Sequence, residues 1–211
     1  MSRPAKIIID LAAIKANCRL AQSIAPHSKT VAVIKADAYG HGAVEVAKAV
    51  ESQVDMFTVS CLEEAMILRQ NDLKKPILLL EGCFDKTELK VAMDNQCELV
   101  VHSSAQLEQL LSVTLEIPVK VWLKIDTGMH RLGILPQQVE SIYAELMASP
   151  NVKSIVLMTH FAHADDTDGA HTALQISRFK NCIQPILTNT SQQVELSMAN
   201  SAALYLGIKP E

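Results

Sequence analysis

Residues 31–35 read Val-Ala-Val-Ile-Lys, a short apolar run of β type that ends in a lysine. The apolar residues of this run are continuous and do not alternate with polar ones. Strands of this kind are buried on both faces, as in a parallel sheet. The stretch therefore predicts an inner strand of a parallel α/β fold, with Lys35 at its carboxyl end.

Six further runs of the same kind follow along the chain. They are Met56–Val59, Pro76–Leu80, Leu99–His102, Val119–Lys124, Ser154–Thr159 and Val194–Ser197. Helix-length segments separate them, among them Gln137–Met147 and Ala173–Leu187. Asp10 is positioned to cap a first helix whose apolar face holds Leu11, Ile14, Cys18, Ala21 and Ile24. Three later helices open with capping-box spacing, at Ser60-x-x-Glu63, Asp85-x-x-Glu88 and Ser103-x-x-Gln106.

Repeated strand–helix units leave two fold candidates, an open doubly wound sheet and a (β/α)8 barrel. A barrel needs eight strands and typically about 250 residues, whereas this chain has 211 residues. Besides the seven runs there is an early strand candidate at Ile7–Ile9. Either that segment supplies the eighth strand, or the barrel is incomplete at its C-terminal end.

Composition excludes several classes of protein. Hydrophobic residues make up 49% of the chain and charged residues 20%, which is too apolar for a disordered protein. A net charge of −4 and an aromatic content of 4% argue against a nucleic-acid partner. No apolar run approaches the roughly 18 residues of a membrane span, and the N-terminus lacks the apolar segment of a secretion signal. Five widely spaced cysteines without a C-x-x-C motif fit a reduced, cytoplasmic protein.

Chemically versatile side chains follow four of the predicted strands. They are Lys35, the segment from Lys124 to Arg131, the pair Thr159-His160, and the group Ser197, Asn200 and Ser201. Ligands of parallel α/β folds bind at the carboxyl ends of the strands, so these residues mark a candidate site. A desolvated Lys35 would have a lowered pKa and could hold an aldehyde cofactor as a Schiff base. Position alone, however, favours a lysine whose ammonium reaches solvent.

Four segments resemble the signature motifs of bacterial alanine racemases and occur in the family's order. They are Lys35-Ala36-Asp37-Ala38-Tyr39-Gly40-His41-Gly42, Lys124-Ile125-Asp126-Thr127-Gly128-Met129-His130-Arg131-Leu132-Gly133, Thr159-His160-Phe161-Ala162 and Ala199-Asn200-Ser201-Ala202-Ala203. The first resembles the family's attachment motif for pyridoxal 5'-phosphate, with Asp37 where the family usually has Asn. The resemblance extends from Arg3 to about Tyr205 and implies a (β/α)8 TIM-type barrel.

This resemblance assigns a role to each matching residue. Lys35 would form the internal aldimine and act as the base on the D-side of the substrate α-carbon. Arg131 would reach the cofactor's phenolic oxygen and the substrate carboxylate, and Lys124, carbamylated in several members, would orient Arg131. The cofactor would also be bound by Tyr39, His160, Asn200 and Ser201, with His160 beside the pyridine ring and the others near the phosphate. The resemblance implies no metal.

The resemblance also implies a longer, homodimeric enzyme. In the family a tyrosine from the C-terminal domain of the other subunit is the second base, and no tyrosine of this chain matches it. We therefore expect residues 1–9 to supply a strand to a C-terminal β domain absent from this chain. Residues 10–211 would form the pyridoxal phosphate-binding barrel without its last unit. The complete enzyme would interconvert L- and D-alanine and supply D-alanine for peptidoglycan, whereas this chain alone is expected to be inactive.

Three rival functions fit parts of the sequence. A metal hydrolase would use His160, His163, Asp165 and Asp166, although these residues also fit a solvated loop. A single-domain pyridoxal phosphate-binding protein of the same barrel type would act in cofactor homeostasis, but it has a different lysine segment. A racemase with broader amino-acid specificity is closer still.

Overall fold

The fold was analysed in a computed structural model that describes residues 4–166, 168–190 and 193–208. The described strands form a seven-stranded parallel sheet in which every strand pairs with the next along the chain. They are β1 (Val31–Val33), β2 (Met56–Val59), β3 (Ile77–Leu79), β4 (Cys97–Val101), β5 (Val119–Lys124), β6 (Val152–Met158) and β7 (Glu195–Ser197). This sequential order is that of a barrel, and the doubly wound alternative is wrong because its strand order would reverse.

One helix precedes β1, and in the described part of the chain each strand is followed by at least one helix. They are α1 (Leu11–Ile24), α2 (Lys35–Gly40), α3 (Ala43–Val50), α4 (Leu62–Gln70), α5 (Lys86–Asp94), α6 (Ser104–Leu111), α7 (Val139–Ala148), α8 (Ala170–Asn189) and α9 (Ser201–Tyr205). Short 3-10 turns lie at Glu51–Gln53 and Pro136–Gln138. The predicted segments Gln137–Met147 and Ala173–Leu187 correspond to α7 and the longer α8.

Strands β2 to β6 are largely buried on both faces, as their apolar runs predict. The end strands β1 and β7 are not, and Val33 on β1 is 43% exposed because β1 has a neighbouring strand on one side only. A large apolar cluster lies between the sheet and the helices. A smaller cluster fills the inner face of the sheet with residues from alternate strand positions: Met56, Leu78, Val100, Trp122, Val156 and Met158. The sheet is therefore the wall of a packed barrel interior.

The predicted strand bounds are confirmed to within two residues, and Met56–Val59 and Val119–Lys124 match in full. The difference that matters for the site is at Val31–Lys35, because β1 ends at Val33. Lys35 therefore lies in the segment that follows the strand, and the direct strand-end placement is wrong.

Three of the four predicted helix caps are confirmed and one is wrong. Asp10, Asp85 and Ser103 cap their helices through side-chain oxygens, as predicted. The Ser60 capping box is wrong, because α4 begins at Leu62 after Cys61 and Ser60 lies one residue too early. Its backbone N–H instead donates to the carboxylate of Glu64, 2.7 Å away.

The two end strands of the sheet lie close to each other. Lys29, just before β1, places its Nζ 2.9 Å from Oε1 of Glu195 on β7. Among the described residues no strand lies between them, so the structure is an incomplete (β/α)8 barrel. Residues 7–9 are not part of the sheet, and the side chains of Ile7 and Ile8 are 87% and 89% exposed. That they join another domain stays a prediction.

Candidate active site

Four of the predicted site residues act on one another at the carboxyl ends of β1, β5 and β6. Burial lowers the pKa of Lys124, and the positive charges of Arg131 and Lys35 lower it further. Burial also lowers the pKa of His160, and the same three cations add to the effect. The barrel therefore brings Lys35, Lys124, Arg131 and His160 into one electrostatic environment.

Lys35, Lys124 and Arg131 form no ion pair with any residue that the structure describes. The ion pairs found in the described part of the chain involve Lys29, Lys74, Lys120 and His130, and none involves Lys35, Lys124 or Arg131. Lys124 is only 6% exposed, so its ammonium is poorly solvated as well. Buried charges are normally paired, and the buried Lys124 has two further cations nearby, so an anionic ligand would suit this cluster.

Lys35 is followed by a left-handed helical turn. Ala36, Asp37, Ala38 and Tyr39 have φ angles of 51°, 54°, 52° and 56°. Each non-glycine residue in this conformation costs about 1–2 kcal/mol, so the turn stores roughly 4–8 kcal/mol of local strain. Strain of this kind persists only where surrounding contacts hold it, and it is concentrated at functional sites.

Several hydrogen bonds hold the turn. The N–H of Ala38 donates to the carbonyl of Ile34 at 2.9 Å, and the N–H of Gly42 donates to the carbonyl of Asp37 at 3.0 Å. The Asp37 carboxylate accepts from the N–H of Ala43, the first residue of α3, at 2.7 Å. Asparagine offers the same acceptor oxygen, which explains why Asp37 can stand where the related motif has Asn.

The segment after β5 is a closed loop that carries Arg131. Its base is fixed because the N–H of Ile134 donates to the carbonyl of Lys124 at 2.8 Å, and the N–H of Asp126 donates to the carbonyl of Ile134 at 2.9 Å. The Asp126 carboxylate accepts from the N–H groups of Gly128 and His130, both at 3.0 Å. Arg131 is exposed on this loop and free to contact a ligand.

Burial acts to raise the pKa of Asp126, but the surrounding N–H donors lower it overall. Asp126 is therefore ionised at neutral pH and its hydrogen bonds are charge-assisted. Gly133, near the end of the loop, has φ 144°, and a Cβ there would lie 2.5 Å from the backbone nitrogen of Asp126. The loop thus requires glycine at this position.

A buried amide joins the loops after β5 and β6. Gln175 on α8 is 0% exposed and accepts a hydrogen bond from the N–H of Ala162 at 2.9 Å. Its Nε2 donates to the carbonyl of His160 at 3.0 Å and to Oγ1 of Thr127 at 3.2 Å. The Thr127 hydroxyl is also 2.8 Å from that of Thr159. These bonds fix the backbone that carries His160 relative to the loop that carries Arg131.

The residues after β7 are placed by a helix cap. Asn200 is the N-cap of α9, and its Oδ1 accepts from the N–H of Ala203 at 3.0 Å. Its Nδ2 donates to the carbonyl of Phe161 at 3.3 Å, which ties this segment to the loop after β6. Ser201, the first residue of α9, is exposed. Tyr39, in the left-handed turn after Lys35, is 61% exposed.

The metal-site interpretation gains no support from the geometry. Within residues 4–166, 168–190 and 193–208, no three histidine, cysteine or acidic side chains are grouped so that they could hold a metal ion. His163 instead packs edge-on against His171, with ring centroids 5.4 Å apart. All five cysteines are free thiols. In the described part of the chain, no helix is both long and apolar enough to span a membrane.

Sequence reasoning missed three residues that shape the site. Gln175 has a detectable signal, because it shares the helical spacing of the buried residues Thr172, Phe179 and Ile183. His102 at the end of β4 follows the same strand-end rule as Lys124, and burial lowers its pKa. Glu64 has no local signal for its contact with the site, because Ala36 lies 28 residues earlier in the chain.

Fold and site together define a domain of the incomplete α/β-barrel class, with a lysine after the first strand and, at the carboxyl face, cations that form no ion pair with any described residue. Residues 9–210 match the family model described as alanine racemase, N-terminal domain. The chain belongs to this family.

Relatives and solved structures agree with that assignment. The chain is 45% identical over 202 residues to the alanine racemase of Pseudomonas entomophila (strain L48), which covers 96% of this chain and 55% of the relative. It is 47% identical over 178 residues to that of Haemophilus influenzae, covering 84% of this chain and 49% of the relative. The crystal structure of the biosynthetic alanine racemase from Pseudomonas aeruginosa superposes with a TM-score of 0.86 at 42% identity. That match covers 96% of this chain and 54% of the other, so the chain spans about half the length of such relatives.

Proposed function

We propose that this chain is the cofactor-binding barrel of an alanine racemase, which interconverts L- and D-alanine. The observation that carries the proposal is the convergence of Lys35, Lys124 and Arg131 without an ion-paired carboxylate at the carboxyl face of the barrel. Family membership supports this function over the metal hydrolase and the single-domain cofactor-binding protein.

The residues of the site fit pyridoxal 5'-phosphate. Lys35 offers an amine to the aldehyde, and Arg131 offers a fork of donors to the phenolic oxygen and to a substrate carboxylate. The exposed side chains of Tyr39 and Ser201 are the proposed phosphate contacts, with Asn200 holding the segment that carries Ser201. When bound, this cofactor withdraws electron density from the substrate α-carbon and makes its proton removable.

His160 is the proposed neighbour of the pyridine ring. Burial and the nearby cations lower its pKa, so the imidazole is neutral at pH 7. A neutral ring can lie against the cofactor without adding a further charge to the site. The backbone of His160 is held by Gln175, which orients the side chain.

Lys35 is the proposed base on one face of the substrate. Its Nζ takes the α-proton from the D-enantiomer and returns one to the same face in the reverse reaction. Racemisation needs a second base on the opposite face, which we assign to a tyrosine of a partner subunit in a homodimer. We therefore propose that this chain alone binds the cofactor without racemising alanine.

Lys124 is the proposed site of carbamylation. Its pKa is lowered by burial, Arg131 and Lys35, so more of the neutral amine is available than for an exposed lysine. The neutral amine would add to carbon dioxide and release a proton, giving a carbamate anion. That anion could accept hydrogen bonds from the Arg131 guanidinium and orient it toward the substrate.

The complete enzyme is proposed to act in the cytoplasm, where it supplies D-alanine for peptidoglycan. It is proposed to act without a nucleic-acid or membrane partner. The test begins with the cofactor, because every later step depends on it. Absorbance spectra recorded on adding pyridoxal phosphate should show condensation of its aldehyde with an amine in the wild-type chain and in Lys48→Ala. Lys48 is an exposed lysine on α3 and serves as the control. An unchanged spectral response in Lys35→Ala would refute the proposal.

A further inference from the structure

Glu64 on α4 joins two loops through the two oxygens of one carboxylate. Its Oε1 accepts a hydrogen bond from the N–H of Ala36 at 2.6 Å. Its Oε2 accepts from the N–H of Ser60 at 2.7 Å. Both donors are backbone groups, so the contact depends on Glu64 alone and on no other side chain.

The bond to Ala36 acts on the peptide unit that follows Lys35. That unit contains the carbonyl of Lys35 and the N–H of Ala36, so fixing the N–H fixes the orientation of the Lys35 backbone. Ala36 is also the first residue of the left-handed turn, with φ 51°. A strong acceptor at this point holds the strained turn where it begins.

The bond to Ser60 connects the same carboxylate to the sheet. Ser60 directly follows β2, and β2 pairs with β1 through the register Val33 with Thr58. The N–H of Ile34 continues this ladder by donating to the carbonyl of Thr58 at 2.9 Å. Glu64 thereby fixes the position of the Lys35 backbone relative to the carboxyl end of the neighbouring strand, β2.

We infer that Glu64 is a positioning residue that holds the Lys35 backbone and the left-handed turn in place for covalent capture of the cofactor. The inference rests on the proposed function of Lys35. A carboxylate suits the task because both of its partners are donors. A glutamine keeps the shape but presents one oxygen and one NH2, so it can accept only one of the two bonds.

The test compares Glu64→Gln and Glu64→Ala with the wild-type chain and with Glu63→Gln. Glu63 is the exposed neighbour on the same helix, and its carboxylate interacts with Cys61 rather than with the Lys35 segment. Two measurements are made on each protein. Amide hydrogen exchange without cofactor follows the N–H groups of Ala36 and Ser60. Borohydride trapping after addition of pyridoxal phosphate gives the rate and pH midpoint of capture at Lys35, per folded molecule.

We expect protection of both amides to fall in the Glu64 variants and to persist in Glu63→Gln. Capture should be slowed by about tenfold in Glu64→Gln and further in Glu64→Ala, tenfold being equivalent to about 1.4 kcal/mol. The pH midpoint of capture should also shift. A residue that acted only in folding would change the melting temperature and leave the rate per folded molecule unchanged.

The inference would be overturned if Glu64→Ala, measured on its folded fraction, captured the cofactor at the wild-type rate with the wild-type pH midpoint. Absence of capture in the wild type and in Glu63→Gln would instead refute the proposed function of Lys35. The exchange measurement needs no cofactor, so it would still decide whether Glu64 holds the turn.

Discussion

Replacing Gln175 by leucine tests whether α8 fixes the two loops of the candidate site. The substitution nearly preserves volume but removes three hydrogen bonds, to Ala162, His160 and Thr127. Thr127 keeps its bond to Thr159, whereas the N–H of Ala162 and the carbonyl of His160 lose their side-chain partner.

The expected cost follows from these two backbone groups. A backbone group left unsatisfied in a buried position costs about 1–3 kcal/mol, so these two partly buried groups lose at most about 6 kcal/mol together. Burial of the leucine side chain offsets about 1.5–3 kcal/mol of this loss. The free energy of unfolding should therefore fall by about 2 kcal/mol, which lowers the melting temperature of a chain this long by about 4–8 °C.

Chemical denaturation monitored by circular dichroism measures this change, with Gln184→Leu as the matched control. Gln184 lies on the same helix and makes one exposed bond, to Thr188 at 3.3 Å. The control should change the free energy of unfolding by no more than about 0.5 kcal/mol. Equal stabilities of the two variants would refute the role assigned to Gln175.

Three further predictions concern charge and backbone. In protein whose Lys124 is not carbamylated, Lys124→Met should raise the pKa of His160, measured by NMR titration in buffer free of carbon dioxide, because it removes a cation that lowers that pKa; an unchanged pKa would contradict the proximity of Lys124 to His160. Gly133→Ala should lower the free energy of unfolding by about 2 kcal/mol or more, since φ is 144° and the new Cβ would lie 2.5 Å from Asp126; wild-type stability would count against the strained loop. The pKa of Glu195 is lowered from 4.5 by hydrogen bonds to two lysines. Its stabilising contribution is present above pH 4.5 and is lost as pH falls through the lowered pKa; Glu195→Gln should therefore weaken the acid dependence of unfolding, and an identical dependence would refute this.

Apolar runs made a parallel α/β sheet predictable, and the resemblance to alanine racemases then favoured the barrel over the doubly wound sheet. Most strand runs are mainly apolar because one face meets the helices and the other meets the barrel interior. Trp122 shows the second environment, since its ring lies in the inner cluster and its Nε1 donates to Glu98 at 2.6 Å. Ligands of parallel α/β folds bind at the carboxyl ends of the strands, and this rule located Lys124 and His160. Their placement follows from the direction of the parallel strands.

Backbone conformation at Lys35 was not predictable in the same way. The residues Ala36-Asp37-Ala38 carry no local preference for positive φ, and only Gly40 and Gly42 suggest unusual backbone. The left-handed turn exists because Glu64 and Ala43 supply bonds from elsewhere in the chain. Such contacts depend on the tertiary fold, so local sequence rules ended β1 two residues too late.

The capping boxes show a smaller effect of the same kind. The acidic or amide side chains reach back four residues rather than three, from Glu64 to Ser60, Glu88 to Phe84 and Gln106 to His102. Asp85 and Ser103, which directly precede their helices, cap them with side-chain oxygens, whereas Cys61 makes no such bond. In all three helices the residue before the cap donates its N–H to the side chain that reaches back. Asn200 also caps a helix, although the sequence predicted for it only a role in phosphate binding.

Identification of the lysine that captures pyridoxal phosphate tests the central claim most directly. The chain is incubated with the cofactor, reduced with borohydride, digested, and mapped by mass spectrometry. The label is predicted on the peptide that contains Lys35, and its amount should fall when Arg131 is replaced by methionine. Labelling spread over the exposed lysines, with Lys35 unmodified, would contradict the claim that these cations form a cofactor site.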